Sequence, residues 1–131
     1  MGKVILAAIA MMLAAGPIAA QAAEADLEKG EKLFKKCKNC HFADKEKKKI
    51  GPHLVGLFGR KAGAVDGFRY SSAMKAKGEE GLVWDAETLD EYLTKPKKFI
   101  PKTKMQFPGL KKEEDRINLI AFLEKATKPA E

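Results

Sequence analysis

The feature that most constrains this chain is the run Cys37-Lys38-Asn39-Cys40-His41. It contains the only two cysteines in 131 residues, so a scaffold held together by several disulfides is excluded. Two thiols at this spacing share a helical turn and can bond to the two vinyl groups of one haem, with the adjacent histidine facing the iron. The run therefore predicts one covalently bound haem c, with Cys37 and Cys40 as thioether positions and His41 as an iron ligand.

Two other uses of a Cys-x-x-Cys pair were weighed against this interpretation. A thioredoxin-like redox disulfide requires a βαβ pattern, which the sequence lacks. A structural zinc site requires four ligands, and this chain would have to use both its cysteines and both its histidines. Haem attachment is favoured over both.

Residues 1–22 have the pattern of a secretory signal. A positive residue precedes an apolar run that a Gly-Pro pair interrupts, and an Ala-x-Ala site follows: Lys3, Val4–Ala15, Gly16-Pro17 and Ala20-Gln21-Ala22. An uncleaved anchor is the alternative, but the apolar run is short for a membrane span. We expect cleavage near Ala22, a single domain over residues 23–131, and a periplasmic location, soluble after cleavage.

The mature chain is predicted to be all-α, with four to five short helices and long loops. Asp26 caps a first helix that leads to Cys37, Ser71 begins a helix that Gly78 ends, and Asp85 caps a helix over 86–95. A last helix over about 112–127 has Ile117, Ile120 and Leu123 in its apolar stripe. Loops rich in Gly and Pro cover 50–70 and 96–110, and loops this long need something to wrap, such as a cofactor.

The second iron ligand decides what a bound haem can do, because an open position permits ligand chemistry and a filled one leaves electron transfer. Beyond the signal segment the candidates are His53, Met74 and Met105. Met105 lies in the Pro-rich loop, far enough along the chain to reach the opposite haem face. The alternative role for Met105 is that of an ordinary core methionine. The main alternative for the second iron ligand is His53, because imidazole binds iron well.

Several motifs in the same order resemble class I c-type cytochromes, the mitochondrial protein and its periplasmic bacterial counterparts. They are Cys37 to His41, Gly51-Pro52, residues 56–63 (Gly-Leu-Phe-Gly-Arg-Lys-Ala-Gly), Trp84, residues 87–89, Tyr92, residues 96–98 (Pro-Lys-Lys) and residues 101–105 (Pro-Lys-Thr-Lys-Met). The resemblance implies the class I cytochrome c fold wrapped around one haem, and Met105 as the distal axial ligand. His53 becomes a surface or packing residue.

The resemblance also assigns haem-pocket positions. It implies that the Pro52 carbonyl accepts a hydrogen bond from His41 Nδ1. Four residues match positions around the haem propionates, and two match positions beside the axial methionine: Arg60, Tyr70, Ser71 and Trp84, and then Tyr92 and Thr103. The alternative for Arg60 is an exposed cation in a loop, and the alternative for Trp84 and Tyr92 is an ordinary place in the apolar core. Three departures from the family pattern are Met74, at an often polar position, a small insertion over 78–81, and a first helix one residue shorter between Gly30 and Cys37 than in the mitochondrial form.

The resemblance implies a monomeric electron carrier and not an enzyme. It would move single electrons between membrane complexes of a respiratory or photosynthetic chain: a quinol–cytochrome c reductase, a cytochrome c oxidase or a photosynthetic reaction centre. The formal charge of +7 favours acidic docking surfaces and transient membrane-surface encounters, and export argues against nucleic acid. A haem peroxidase or ligand sensor with an open Met105 side, or a haem-free basic binding module, are the alternatives.

Overall fold

The computed structural model describes residues 24–131, and the predicted signal segment lies outside them. The elements are α1 (Leu27–Phe34), α2 (Ser72–Glu79), α3 (Ala86–Thr94), α4 (Pro96–Phe99) and α5 (Glu113–Ala126). In this part of the chain, β-pairing is limited to an isolated bridge between Lys61 and Val83. The predicted all-α class is confirmed. None of the described helices is long and apolar enough to cross a membrane.

Three helices begin where the sequence predicts, because a short polar side chain satisfies a free amide at each start. The Asp26 carboxylate accepts from the Lys29 N–H at 3.1 Å. The Ser71 hydroxyl accepts from the Met74 N–H at 3.0 Å. Asp85 forms a reciprocal capping box, in which its carboxylate and its own N–H both bond to Thr88.

The structure corrects three sequence predictions. Gly78 does not end α2, which continues to Glu79; a Cβ there would overlap the Ala62 carbonyl oxygen, so Gly78 permits close packing. The segment that follows α3 is not all loop, because Pro96 begins α4, a position that its fixed φ suits. On α5, Ile120 and Leu123 are buried as predicted, but Ile117 is 36% exposed. Leu119, outside the predicted stripe, is only 1% exposed, so the buried face is rotated toward it.

The crossing of α1 and α5 forms the frame of the fold. Gly30 brings the two helices together, since a Cβ on it would overlap the carbonyl oxygen of Asn118. The Phe34 and Phe122 rings pack beside this point at 5.5 Å between centroids, and the Asp26 N–H donates to Asn118 Oδ1 at 2.8 Å. Because α1 leads directly into the Cys37 turn, this crossing positions the attachment motif.

Candidate haem-binding site

A mainly apolar cavity of about 250 Å³ lies at the centre of the described residues. Its walls come from the turn after α1, the loop before α2, helices α3 and α5, and the loop between α4 and α5. The apolar lining includes Leu54, Leu57, Phe68, Leu89, Leu93, Phe107, Leu119 and Leu123. A chamber with such walls suits a large apolar cofactor.

Helical turns continue past α1 and carry the attachment motif to the cavity. The Cys40 and His41 N–H groups both donate to the Cys37 carbonyl, each at 3.0 Å. This geometry places Cys37, Cys40 and His41 on the cavity wall together. The two sulfurs are not joined in a disulfide, so both are available for thioether bonds.

The Cys37 thiol has the opposite character from a redox-active cysteine. Burial, with the charge of Cys40 adding to it and that of Lys36 opposing it, raises the pKa of Cys37 to about 11. Redox-active thiols have lowered pKa values, because the thiolate is the reactive form. The predicted preference over a thioredoxin-like pair therefore gains physical support. Within residues 24–131, no group of three or more Cys, His, Asp and Glu side chains has an arrangement that could hold a metal ion.

The His41 ring is oriented by its neighbours. Its Nδ1 lies 2.7 Å from the Pro52 carbonyl oxygen, which can only accept a hydrogen bond. Gly51 leaves the room that the ring occupies, because a Cβ there would overlap it. Burial lowers the pKa of His41, although the bond to Pro52 opposes this shift. The neutral tautomer with Nδ1–H donating to Pro52 leaves the Nε2 lone pair free to bind a metal.

The loop between α4 and α5 forms the part of the cavity wall that carries Met105. Met105 borders the cavity, and its N–H donates to Thr103 Oγ1 at 3.4 Å. The Thr103 hydroxyl is also 2.8 Å from the Tyr92 hydroxyl in a buried pair. Arg116 fixes the far end of the loop by donating to the carbonyl oxygens of Leu110 and Lys111 at 2.9 and 3.0 Å.

Polar groups are gathered at one side of the cavity. Tyr70 and Ser71 border it, and the Tyr70 hydroxyl accepts from the Val65 N–H at 3.1 Å. Arg60 does not line the cavity, but its backbone carbonyl accepts from the N–H of the cavity residue Trp84 at 2.9 Å. Its guanidinium donates to the carbonyls of His53 and Val55, while Nε is buried without a partner. A half-buried guanidinium with an unused, buried Nε–H donor fits a nearby anionic group such as a haem propionate.

Comparison with known proteins bears on this arrangement. The sequence model of the cytochrome c family matches residues 27–127. The chain belongs to the cytochrome c family. It is 55% identical over 107 residues to cytochrome c of Stellaria longipes, covering 80% of this chain and 96% of the relative. It is 53% identical over 106 residues to cytochrome c type-1 of Ascaris suum, covering 80% and 92%.

Family membership confirms the predicted class I c-type fold and one covalent haem c as the cofactor. As a member of this family, the chain is an electron carrier that acts with redox partners. The residues present fit the group: two unpaired thiols, a neutral imidazole and an apolar chamber lie together.

The structure brings every predicted site residue except Arg60 to the cavity wall: Cys37, Cys40, His41, Pro52, Tyr70, Ser71, Trp84, Tyr92, Thr103 and Met105. His53 is not on that wall; its Nδ1 accepts from the Val55 N–H at 3.2 Å. Met74 does border the cavity, so the geometry presents two thioethers. The sequence interpretation missed Arg116, which fixes the end of the loop between α4 and α5. A charged residue in a predicted helix does not by itself indicate such a role.

Proposed function

We propose that this chain is a soluble, monomeric one-electron shuttle and not an enzyme, with Cys37 and Cys40 holding the haem and His41 and Met105 as axial ligands. A haem so held supplies an iron that alternates between ferric and ferrous states. The observation that carries the proposal is the common cavity, to which the attachment turn and the Met105 loop both contribute. His/Met ligation leaves no open position for a substrate.

Each flanking residue has a defined part in this proposal. Pro52 orients the His41 ring, and Gly51 leaves room for it. Tyr92 and Thr103 fix the backbone next to Met105. The remaining polar residues of the predicted pocket would serve the haem propionates: Arg60, Tyr70, Ser71 and Trp84.

The test compares the two thioethers of the cavity. Met105→Ala should abolish the near-infrared band of methionine-ligated ferric haem, lower the reduction potential and let the ferrous form bind carbon monoxide. The matched control Met74→Leu removes the other cavity thioether and should retain that band. If Met74→Leu loses the band and Met105→Ala keeps it, the axial assignment is wrong. Carbon monoxide binding by the unaltered protein would favour a peroxidase or ligand sensor.

We further propose that the shuttle works in the periplasm, between a quinol–cytochrome c reductase and a cytochrome c oxidase or photosynthetic reaction centre. The support is the signal pattern of residues 1–22 together with the positive charge of +7. The intact mass of the protein from a periplasmic extract tests this setting. It should equal residues 23–131 plus one haem, within a residue at the cut. A mass that includes residues 1–22 would contradict export with cleavage.

A further inference from the structure

The turn that carries the two cysteines has a carbonyl that the backbone leaves free. The Cys37 carbonyl accepts two backbone N–H groups, and the Cys40 carbonyl accepts the Gly51 N–H at 2.8 Å. Within the described part of the chain, no backbone N–H donates to the carbonyl of Lys38, which lies between the two cysteines. Carbonyls at the end of a helical turn need a partner from elsewhere, and a basic side chain is a favourable one.

Lys49 supplies that partner from a position eleven residues further along the chain. Its ammonium donates to the Lys38 carbonyl oxygen at 2.8 Å. The same Nζ lies 4.0 Å from the centroid of the Phe42 ring, and Phe42 directly follows His41. An ammonium over an aromatic face is attracted by the negative potential of the ring. One cation therefore holds the attachment turn on both sides of Cys40 and His41, through a carbonyl before them and a ring after them.

The residues after Lys49 are those that orient the His41 ring. The Lys49 N–H donates to the Gly51 carbonyl at 3.0 Å, which closes a tight turn with Ile50 at its tip. Pro52 follows this turn directly, and its carbonyl oxygen is 2.7 Å from His41 Nδ1. A tight turn transmits a displacement of its first residue to the residue that follows it. Fixing Lys49 therefore also fixes the carbonyl to which His41 Nδ1 bonds.

We propose that Lys49 is a positioning residue for the histidine ligand of the haem iron. Its ammonium holds residues 49–52 against the attachment turn and keeps the Pro52 carbonyl on His41 Nδ1. This inference rests on the proposed function, in which His41 binds the iron, and adds the side chain that keeps its orienting partner in place. A hydrogen bond at Nδ1 fixes the ring and raises its basicity as a ligand. Without the Lys49 ammonium, residues 49–52 open more often while His41 stays on the iron.

The neighbouring lysines do not have this combination of contacts. Lys48 Nζ donates to a different segment, at the Gly67 carbonyl, over 3.3 Å. Lys45 Nζ lies 5.6 Å from the centroid of the Phe42 ring, farther than Lys49 Nζ. An exposed lysine with a single ionic contact contributes little. Lys49 instead combines a short charge-assisted hydrogen bond with a cation–π contact, and both are made to the same turn.

The test measures by NMR how fast the His41 Nδ1 proton exchanges with solvent in the ferrous holoprotein. Lys49→Leu removes the ammonium and should accelerate this exchange about fivefold, equivalent to opening that is easier by about 1 kcal/mol. Lys49→Arg keeps a cation and a donor and should restore slow exchange. Lys48→Leu is the matched control, because it removes the same charge from the adjacent residue, and it should leave the exchange unchanged. The N–H of buried Leu119 in α5 reports global unfolding and should exchange equally slowly in every variant.

A double-mutant cycle tests whether the ring contact is part of this role. Phe42→Leu removes the ring and leaves the ammonium on the Lys38 carbonyl, so it should accelerate the His41 Nδ1 exchange less than Lys49→Leu does. The double variant should exchange more slowly than the product of the two single effects, because both variants remove the same contact. Fully multiplicative effects would refute the two-sided hold on the attachment turn.

The remaining outcomes overturn the inference in distinguishable ways. Wild-type exchange in Lys49→Leu would make Lys49 an ordinary solvated lysine. Equal acceleration of the Leu119 N–H would make it a contributor to global stability only, and equal acceleration in Lys48→Leu would make net charge the cause. The ligand itself is tested separately: in the ferric wild type the His41 ring signals should be shifted by the paramagnetic iron. Unshifted signals would refute His41 as a ligand, and the proposed function with it.

Discussion

The crossing of α1 and α5 gives the sharpest prediction about stability, because Gly30→Ala has opposite expected effects depending on whether the helix is considered alone or in the fold. In an isolated helix, alanine is more favourable than glycine by about 1 kcal/mol. In the structure, the added Cβ would overlap the Asn118 carbonyl oxygen and lie 2.7 Å from Phe122 Cβ. Neither atom is the end of a flexible side chain, so the helices must move apart.

The cost of that movement can be worked out from the contacts at the crossing. Overpacking a fixed site costs about 1–3 kcal/mol. The hydrogen bond from the Asp26 N–H to Asn118 Oδ1 contributes about 1 kcal/mol. Weakening the packing of Phe34 on Phe122 adds about 0.5–1 kcal/mol. After the helix-propensity gain is subtracted, Gly30→Ala should lower the free energy of unfolding by about 1.5–4 kcal/mol.

Guanidinium unfolding of the holoprotein measures this loss, with helical circular dichroism and Trp84 fluorescence as two independent probes. With a guanidinium slope of about 3 kcal/mol per M, the midpoint should fall by roughly 0.5–1.3 M. Glu31→Ala is the matched control, because Glu31 is an exposed neighbour on the same helix, and its effect should stay within about 0.5 kcal/mol. A Gly30→Ala protein as stable as the wild type, or more stable, would refute the close-packing argument.

Three further predictions follow from other contacts. Arg116→Met should lower the free energy of unfolding by about 2–4 kcal/mol, because it leaves the buried Leu110 carbonyl unpaired. Loss of the ion pair to Asp90, whose side chain is 40% exposed, adds little to this. Thermal melting measures the total loss of stability. Burial raises the pKa of Tyr92, so the contribution of its neutral hydroxyl to folding stability is full below the unfolded pKa of about 10 and is lost as pH rises above it. The wild type should therefore lose more stability than Tyr92→Phe between neutral and strongly alkaline pH. Equal losses in the two proteins would contradict this prediction. Electron-transfer rates with an acidic partner should fall as salt rises, because screening weakens steering by the lysines, and stopped-flow kinetics would detect a flat response.

The local features of the chain were predictable because short-range chemistry determines them. Asp26, Ser71 and Asp85 each begin a helix where a capping side chain was expected. The Cys37 to His41 spacing determined the cofactor, since no tertiary contact is needed to place two thiols and a histidine on one turn. Family membership then confirmed the haem.

Only the tertiary structure decided which side chains are buried and what they contact. The rotation of α5 depends on where α1 and α3 pack, so sequence periodicity misplaced Ile117 on the buried face. Gly78 signalled a helix end, yet the proximity of Ala62 makes it a packing residue inside α2. Arg116 acquires its role through carbonyls outside its own helix.

The sequence by itself therefore determined the attached cofactor, the helical class and the candidates for the second iron ligand. It could not show that His53 lies off the cavity wall while Met74 and Met105 both lie on it. Nor could it show that a tight turn exposes Ile50 beside His41. The physical reason is the range of the forces involved: capping and thiol spacing act within one turn of chain, whereas burial and cavity shape depend on segments that are distant in sequence.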